Sequence, residues 1–431
     1  HLQAQTGQES FHQALLESLP QAAPAEGLGA ELRLLRETFR SFADKRIRPL
    51  AEGWHRQDQL IPDALIAEAA ALGCFGLSIP VAYGGAQERP DTLGMVVVTE
   101  ELCRGALAFG SLITRPEILA RALLKGGTEA QRRAFLPTMA SGEKMVAISV
   151  TEPDFGSDVA RITCAARRTP QGWRISGTKM WSTFAGRAEL IGMLARTDPD
   201  PGLGYKGLSM FVVEKPAYRG HDFEYQPPGG GRLAGRAIAT LGYRGMHSYE
   251  LQLEDFLVPE ANLVGGEPGL GRGFYLQMDA FSYGRLQTAA RALGVMQAAW
   301  EAASQYAQAR TVFGRSLAQY SLTREKLARM AAQVHACRQA AYATARLLDE
   351  PAEGGGAPGQ MEASLVKMLA CRQAEWVTRE AQQLHGGMGY AEEFAVSRLY
   401  VDARVLSIFE GTDEVLALRV VLPALLKSAT D

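Results

Sequence analysis

The stretch "YELQLEDFLVP", residues 249–259, sets Tyr249, Leu251 and Leu253 against Glu250, Gln252 and Glu254. Such alternation places apolar and polar side chains on opposite faces, the mark of a strand with one wet side. It closes a region of similar texture. "GWRISGTKMWSTFAG" (172–186), "AELIGMLART" (188–197) and "GLSMFVVEK" (207–215) are short β-prone runs between glycine-rich turns. The chain is therefore not all-helical, and the flanks decide what the strands are set between.

Both flanks read as helices. On the N-terminal side, "ELRLLRETFRSFADKRI" (31–47) spaces Leu32, Leu35, Phe39 and Phe42 by three and four residues. On the C-terminal side, helices are expected over about 274–310, 322–348, 361–384 and 414–427. The glycine-rich segment "DEPAEGGGAPGQ" (349–360) reads as a flexible connection. The expected domains are helical 28–144, β 145–264 and helical 274–431. This α–β–α order is α+β and lacks the βαβ alternation of a doubly wound sheet.

At 431 residues the chain is long enough for two or three domains. A formal net charge of −2 supplies no basic surplus for nucleic acid. Five scattered cysteines without a CxxC fit thiols in a reducing compartment, taken here as the cytoplasm. No apolar run is long enough to span a bilayer. The opening "HLQAQTGQESFHQ" has neither the basic nor the apolar region of a secretory signal.

Common catalytic fingerprints are missing. "GGEPGLGRGF" (265–274) has glycines but no βαβ context, and GxxxxGK[ST], HExxH and GxSxG do not occur. The seven histidines show no metal spacing, so no metal is expected; His385 reads as structural. Three other stretches carry possible chemistry. "AISVTEPDFGSDVA" (147–160) runs from a β-prone segment into a small-residue turn whose N–H groups, with Thr151 and Ser157, could hold oxygens, or could simply end a strand. "MWSTFAG" (180–186) puts Trp181 and Thr183 on one face of a strand, suited to a flat heterocycle or equally to core packing. In "LSIFEGTDEV" (406–415), Glu410 follows Ile408 and Phe409. A carboxylate against apolar neighbours is raised toward neutrality, which suits a general base; an ordinary exposed loop glutamate fits the same letters.

"VTEPDFGSDVA", "KMWST", "ARTVFGRSL", "QLHGGMGYAEEFAVSRLYVDAR" and "IFEGTDEV" occur in the order and spacing of acyl-CoA dehydrogenases. The chain resembles that family over about residues 28–426. The resemblance implies a helical N-terminal domain, a central β domain built as a barrel or sandwich, and a C-terminal four-helix bundle. It implies FAD as cofactor and a homotetramer, a dimer of dimers, with FAD bound partly across a subunit interface. An electron-transfer flavoprotein is the implied electron acceptor, with no nucleic acid and no membrane span.

Position by position, it places Ile148, Val150, Thr151, Gly156 and Ser157 along the flavin cleft. Trp181 packs on the isoalloxazine and Thr183 bonds near N5. Arg310, Phe313, Gln383 and Gly387 meet a neighbouring subunit's FAD, and Thr412 and Glu414 are further flavin contacts. A glutamine common in the family after "FG" is replaced near Ser321.

Glu410 falls on the family's usual base. Relatives that carry the base on an earlier helix have it directly before an arginine, where this chain has Gly284 before Arg285. The implied reaction is α-proton removal by Glu410 and β-hydride transfer to flavin N5, giving a trans-2-enoyl-CoA. The thioester oxygen would be held by a ribityl hydroxyl and the Glu410 N–H.

Within the family, "SLITRPEILARALLKGGTEAQ", "LGYRGMHSYEL" and "GRLQTAARALGVMQAA" are most similar to (2S)-methylsuccinyl-CoA dehydrogenases, which usually carry a long N-terminal extension not seen here. A distal carboxylate would need a partner, for which Arg115 is the candidate; the alternative is a surface or interdomain salt bridge from Arg115 to Glu117 or another acid. Ser157, Ser282 and Arg285 are expected to position the acyl-CoA, with Gly411 near the thioester. A short branched monocarboxylic substrate, or an oxidase on the same scaffold, are the alternatives.

Overall fold

A computed structural model describes residues 27–350 and 359–428. The central part of "DEPAEGGGAPGQ" and the first 26 residues lie outside the described residues. The N-terminal helices are α1 (Ala30–Phe42), α2 (Arg48–Gln57), α3 (Asp63–Ala71), α4 (Thr92–Gly105), α5 (Thr114–Gly126) and α6 (Glu129–Ala140). Side-chain caps define two starts: Asp91 accepts from Gly94 N before α4, and Thr128 with Gln131 forms a reciprocal capping box at α6.

The β region comprises β1 (Val146–Ser149), β2 (Ala165–Thr169), β3 (Gly172–Thr183), β4 (Leu190–Arg196), β5 (Leu208–Glu214), β6 (Asp222–Tyr225), β7 (Arg232–Ile238) and β8 (Ser248–Val258). They form one sheet in the order β1-β4-β2-β3-β8-β7-β6, with β5 on the other side of β4. The β domain expected between the two helical regions is thus built on one eight-stranded sheet. In β8 the alternation holds from Leu251 to Glu254, inward residues buried and outward ones exposed. It breaks at Asp255 (φ +44°), where the register against β3 shifts between Ile175 and Gly177.

C-terminal to the sheet come α7 (Gly273–Ala309), a small hairpin of β9 (Thr311–Val312) and β10 (Arg315–Ser316), α8 (Ser321–Asp349) and α9 (Gln360–His385). Their ends lie within about one residue of the expected ones, within the usual fraying of helix termini. The sequence reading omits α10 (Ala395–Leu406), although Val396, Leu399, Ala403 and Leu406 recur at helical spacing and are buried. The last expected helix is a continuous helical run, Asp413–Leu416, Ala417–Val421 and Leu422–Ser428, with a wider turn in its middle.

The long α7 organises the molecule. It packs on α8, α9 and α10 within the bundle and on α4 and α5 of the N-terminal region. One contiguous apolar core runs through all three regions. Buried ion pairs tie the ends together: Glu100 of α4 meets Arg338 of α8 at 2.7 Å, and Glu101 meets Arg36 of α1 at 2.8 Å.

Glu152 fixes the turn after β1. Its buried carboxylate accepts from Thr163 N (2.7 Å), Cys164 N (2.9 Å) and the buried Lys179 Nζ (2.9 Å). Burial works against the anion, but Lys179 and the two N–H groups outweigh it and hold the carboxyl below its usual range. The stabilisation is therefore present above the ordinary carboxylate pKa and is lost as pH falls through the depressed folded value. Glu152→Ala leaves Lys179 buried and unpaired, and should cost about 3–5 kcal/mol. Thermal melts at falling pH should show a lower Tm for the variant near neutrality and convergence with wild type in acid.

Candidate active site

The segment after α10 carries Glu410 in a left-handed conformation (φ +55°), followed by Gly411 at φ +97°. Only glycine enters that region freely, so a glutamate held there is a local strain of about 1–3 kcal/mol that surrounding contacts must sustain. Those contacts come from both sides. From α9, the buried Lys367 Nζ donates to the Gly411 carbonyl at 2.8 Å. From α7, Gly284, Thr288 and Arg291, spaced by four and three residues, present one helix face to the carboxylate. Arg291 Nη2 donates to Oε1 at 2.6 Å, and Thr288 Oγ1 lies 3.0 Å from Oε2.

The expectation of a carboxylate among apolar neighbours is corrected here: its nearest charged partner is a buried cation. Burial disfavours the charge on Arg291, but Glu410 more than offsets this and the guanidinium titrates above its ordinary value. Among the described residues, the Glu410 N–H has no protein acceptor. Gly284 leaves the carboxylate its room, since a β-carbon at 284 would lie 3.0 Å from Oε2.

The same β-carbon would lie 3.2 Å from Ile118 Cδ1 on α5. Arg115 is three residues before Ile118, on the same helical face. It is buried, its Nη1 donates to the Ser111 carbonyl at 3.0 Å, and among the described residues no carboxylate is within ion-pair distance. The alternative bridge to Glu117 is not formed, because Glu117 pairs with Arg121 at 2.7 Å. Unlike Nε and Nη1 of Arg291, the other Arg115 nitrogens are not sealed from solvent-accessible space. Arg285 is nearly buried too, with one long contact to Ser364 Oγ (3.5 Å); burial lowers its pKa, and Glu410 offsets part of this. Ser282 is buried on α7, one turn from Leu286 and beside Tyr283.

The residues proposed for the flavin fall in two groups. Val150 and Ile148 belong to a small apolar cluster with Phe155, Phe274 and Phe281, next to the turn bearing exposed Gly156 and Ser157. Met180 N donates to the Thr151 carbonyl at 2.8 Å, tying that turn to β3. Trp181 and Thr183 do not simply share a strand face. The register shifts between Lys179 and Ser182, Trp181 takes φ +59° and is 53% exposed, and Thr183 is buried with Oγ1 2.9 Å from Ser248 Oγ. The bulge turns an aromatic ring outward next to Met180, which is tied to the segment leading into the glycine turn, and a β-carbon on Gly156 would meet nothing within 4 Å. A planar heterocycle fits such a place.

The second group lies at one end of the bundle, where Tyr306 stacks on His385 at 4.2 Å. Arg310, Gln383 and Gly387 are exposed there, and Phe313, at the hairpin tip with φ +48°, is 98% exposed. Thr412 caps the last helical run through Val415 N, and Glu414 is exposed. His385 Nδ1 faces the Ala381 carbonyl at 2.8 Å, a structural role.

Thr288, Arg291, Lys367 and Glu152 escaped the sequence reading. The first two could have been found from their spacing to Gly284. Tertiary folding also gathers Asp58, His221 and His247, the only metal-capable group among the described residues; there Asp58 is shared with the Arg244 guanidinium at 3.9 Å.

With this geometry in hand, three family models cover the chain: the acyl-CoA dehydrogenase N-terminal domain at residues 29–143, the middle domain at 147–256 and the C-terminal domain at 271–424. The chain belongs to the acyl-CoA dehydrogenase family, and is an FAD-dependent acyl-CoA dehydrogenase. It is 43% identical to the (2S)-methylsuccinyl-CoA dehydrogenase of Cereibacter sphaeroides over 91% of this chain and 69% of that protein. Among solved structures, butyryl-CoA dehydrogenase from Megasphaera elsdenii superposes with a TM-score of 0.83 at 29% identity, covering 93% of this chain and 99% of that one. A Mycobacterium smegmatis glutaryl-CoA dehydrogenase in complex with FADH2 gives 0.81 at 28% identity, over 93% and 95%. Among the described residues no helix is long and apolar enough to cross a membrane.

Proposed function

We propose that the chain dehydrogenates a short branched dicarboxylic acyl-CoA of the methylsuccinyl-CoA kind, with Glu410 as the base. The observation that carries the dicarboxylate reading is Arg115: a buried guanidinium, one helical turn from Ile118, which borders Gly284, and without an acidic partner among the described residues. Burying a lone cation is costly, and a distal carboxylate would supply the missing charge in bidentate form.

The Glu410 carboxylate takes the α-proton. Its own N–H, free of protein acceptors, donates to the thioester oxygen and stabilises the enolate as negative charge develops. Bound FAD supplies the acceptor for the β-hydrogen as hydride. Trp181 and Thr183, with the Gly156–Ser157 turn, would hold the ring system, and Ser282 and Arg285 the thioester. Ile118, beside Gly284, and Phe409, over the Arg291 guanidinium, would limit the access of water to the carboxylate once substrate is bound.

Fully exposed Phe313 at a hairpin tip, together with exposed Leu418, Leu422 and Leu426, supports burial against further copies of the chain, the homotetramer implied by resemblance. An electron-transfer flavoprotein remains the proposed oxidant.

The test is anaerobic bleaching of the flavin by methylsuccinyl-, butyryl-, isobutyryl-, isovaleryl- and glutaryl-CoA. Rapid bleaching by methylsuccinyl-CoA is expected, with the monocarboxylic thioesters at least about tenfold slower, the equivalent of 1.4 kcal/mol. Equal or faster bleaching by isobutyryl- or isovaleryl-CoA would replace the dicarboxylate reading with a branched monocarboxylic one.

A further inference from the structure

We infer that Arg291, assisted by Thr288, is the positioning residue that aims the Glu410 carboxylate. This rests on the reading of Glu410 as the base. Glu410 belongs to a strained loop, whereas Arg291 belongs to the middle of the longest helix and is completely buried. One guanidinium nitrogen, Nη2, serves two acceptors: Glu410 Oε1 at 2.6 Å and Thr288 Oγ1. Thr288 in turn lies 3.0 Å from Oε2 and 2.9 Å from the Gly284 carbonyl, so both carboxylate oxygens are referred to a single helix face. Phe409 covers the guanidinium from the loop side at 4.6 Å, and Lys367 ties down the next peptide.

The rest of Arg291 argues against a merely structural role. Its Nε and Nη1 are buried and meet no acceptor among the described residues. A buried arginine kept for stability would be expected to satisfy its fork; this one leaves two nitrogens unpaired and spends its contacts on the loop that carries the carboxylate. Replacing a whole buried ion pair by apolar side chains is often neutral or stabilising, but removing one partner strands the other charge. Arg291→Met is therefore read beside Glu410→Gln, which breaks the same pair from the other side.

The experiment compares Arg291→Met, Arg291→Lys and Thr288→Val with wild type and with Glu410→Gln, all as FAD-loaded enzyme. Three quantities are read: Tm, kcat and KM for methylsuccinyl-CoA, and the rate at which the thioester analogue 3-thiabutyryl-CoA, which lacks a β-hydrogen to transfer, exchanges its α-hydrogens in D2O. Arg291→Met should lower kcat and α-exchange together by about 10–100-fold, the scale of a misplacement of about 1 Å, with KM within about threefold and a Tm that falls but stays above the assay temperature. Arg291→Lys should recover part of the exchange rate, and Thr288→Val should lose less than Arg291→Met.

Unchanged exchange in Arg291→Met, or a fall in Tm that accounts for the lost activity and is shared by Arg291→Lys, overturns the positioning role. Should Arg291→Met fail to fold, Thr288→Val and Arg291→Lys decide: wild-type exchange in both overturns it. If Glu410→Gln itself exchanges at the wild-type rate, the failure lies in the assignment of the base, whatever Arg291 does.

Discussion

Glu410→Gln is expected to bind FAD and acyl-CoA but to bleach about 10²–10⁴-fold more slowly, the usual contribution of a positioned proton acceptor. Gln keeps the length of the side chain; its carbonyl oxygen can still accept from Arg291, while its NH2 group, in the place of Oε2, would donate to Thr288 Oγ1, so the loop should stay in place. It removes the negative charge beside Arg291, leaving a buried cation without its counter-ion, so a lower Tm accompanies the kinetic loss. Since the Glu410 N–H is a backbone group, the thioester oxygen should keep that donor, and KM should change far less than kcat. Stopped-flow bleaching under saturating methylsuccinyl-CoA measures this directly. Wild-type bleaching by the variant would mean that another group takes the proton.

The second large effect is expected at Arg115. Arg115→Met keeps most of the volume and removes the charge, and a hydrogen bond to a charged group is worth about 1.5–3 kcal/mol. On a dicarboxylic acyl-CoA, kcat/KM should fall by about 10–150-fold. On butyryl- or isovaleryl-CoA it should hold or rise, because an unpaired buried cation has been taken away. The reversal between substrate classes is the signature, and the ratio of the two kcat/KM values measures it independently of enzyme concentration. A parallel loss on both classes would make Arg115 a structural residue of α5.

Much of the architecture is legible in the sequence because burial imposes a period. Tyr249 to Glu254 alternate, Leu32 to Phe42 repeat at helical spacing, and α7, α8 and α9 begin and end where their patterns do. What stays hidden depends on partners distant in the chain. The parallel pairing of β1 with β4 is one such feature, since strand order is set by packing and not by any local signal. The outward turn of Trp181 is another, for a bulge is a mismatch between two strands.

At the site, Glu410 and Gly284 are readable through resemblance, yet the setting of Glu410 is not. The letters around it, Ile408 and Phe409, suggest an apolar pocket; the fold supplies Arg291 from 119 residues earlier in the chain. Even so, Gly284, Thr288 and Arg291 share one helix face, and that much is open to inspection once Gly284 is singled out. Arg115 shows the reverse case: one partner left open by sequence, Glu117, is taken up by Arg121.

The 3.0 Å approach between a β-carbon at 284 and Oε2 of Glu410 has an evolutionary consequence. Two positions in this scaffold, one on a helix and one on a loop, draw on a single volume, so a side chain at 284 asks the Glu410 carboxylate to give way by a few tenths of an ångström. A lineage moving its base between them through an intermediate bearing both would set two carboxyls side by side, which disfavours ionisation of one of them. Gain at one position and loss at the other should therefore be coupled.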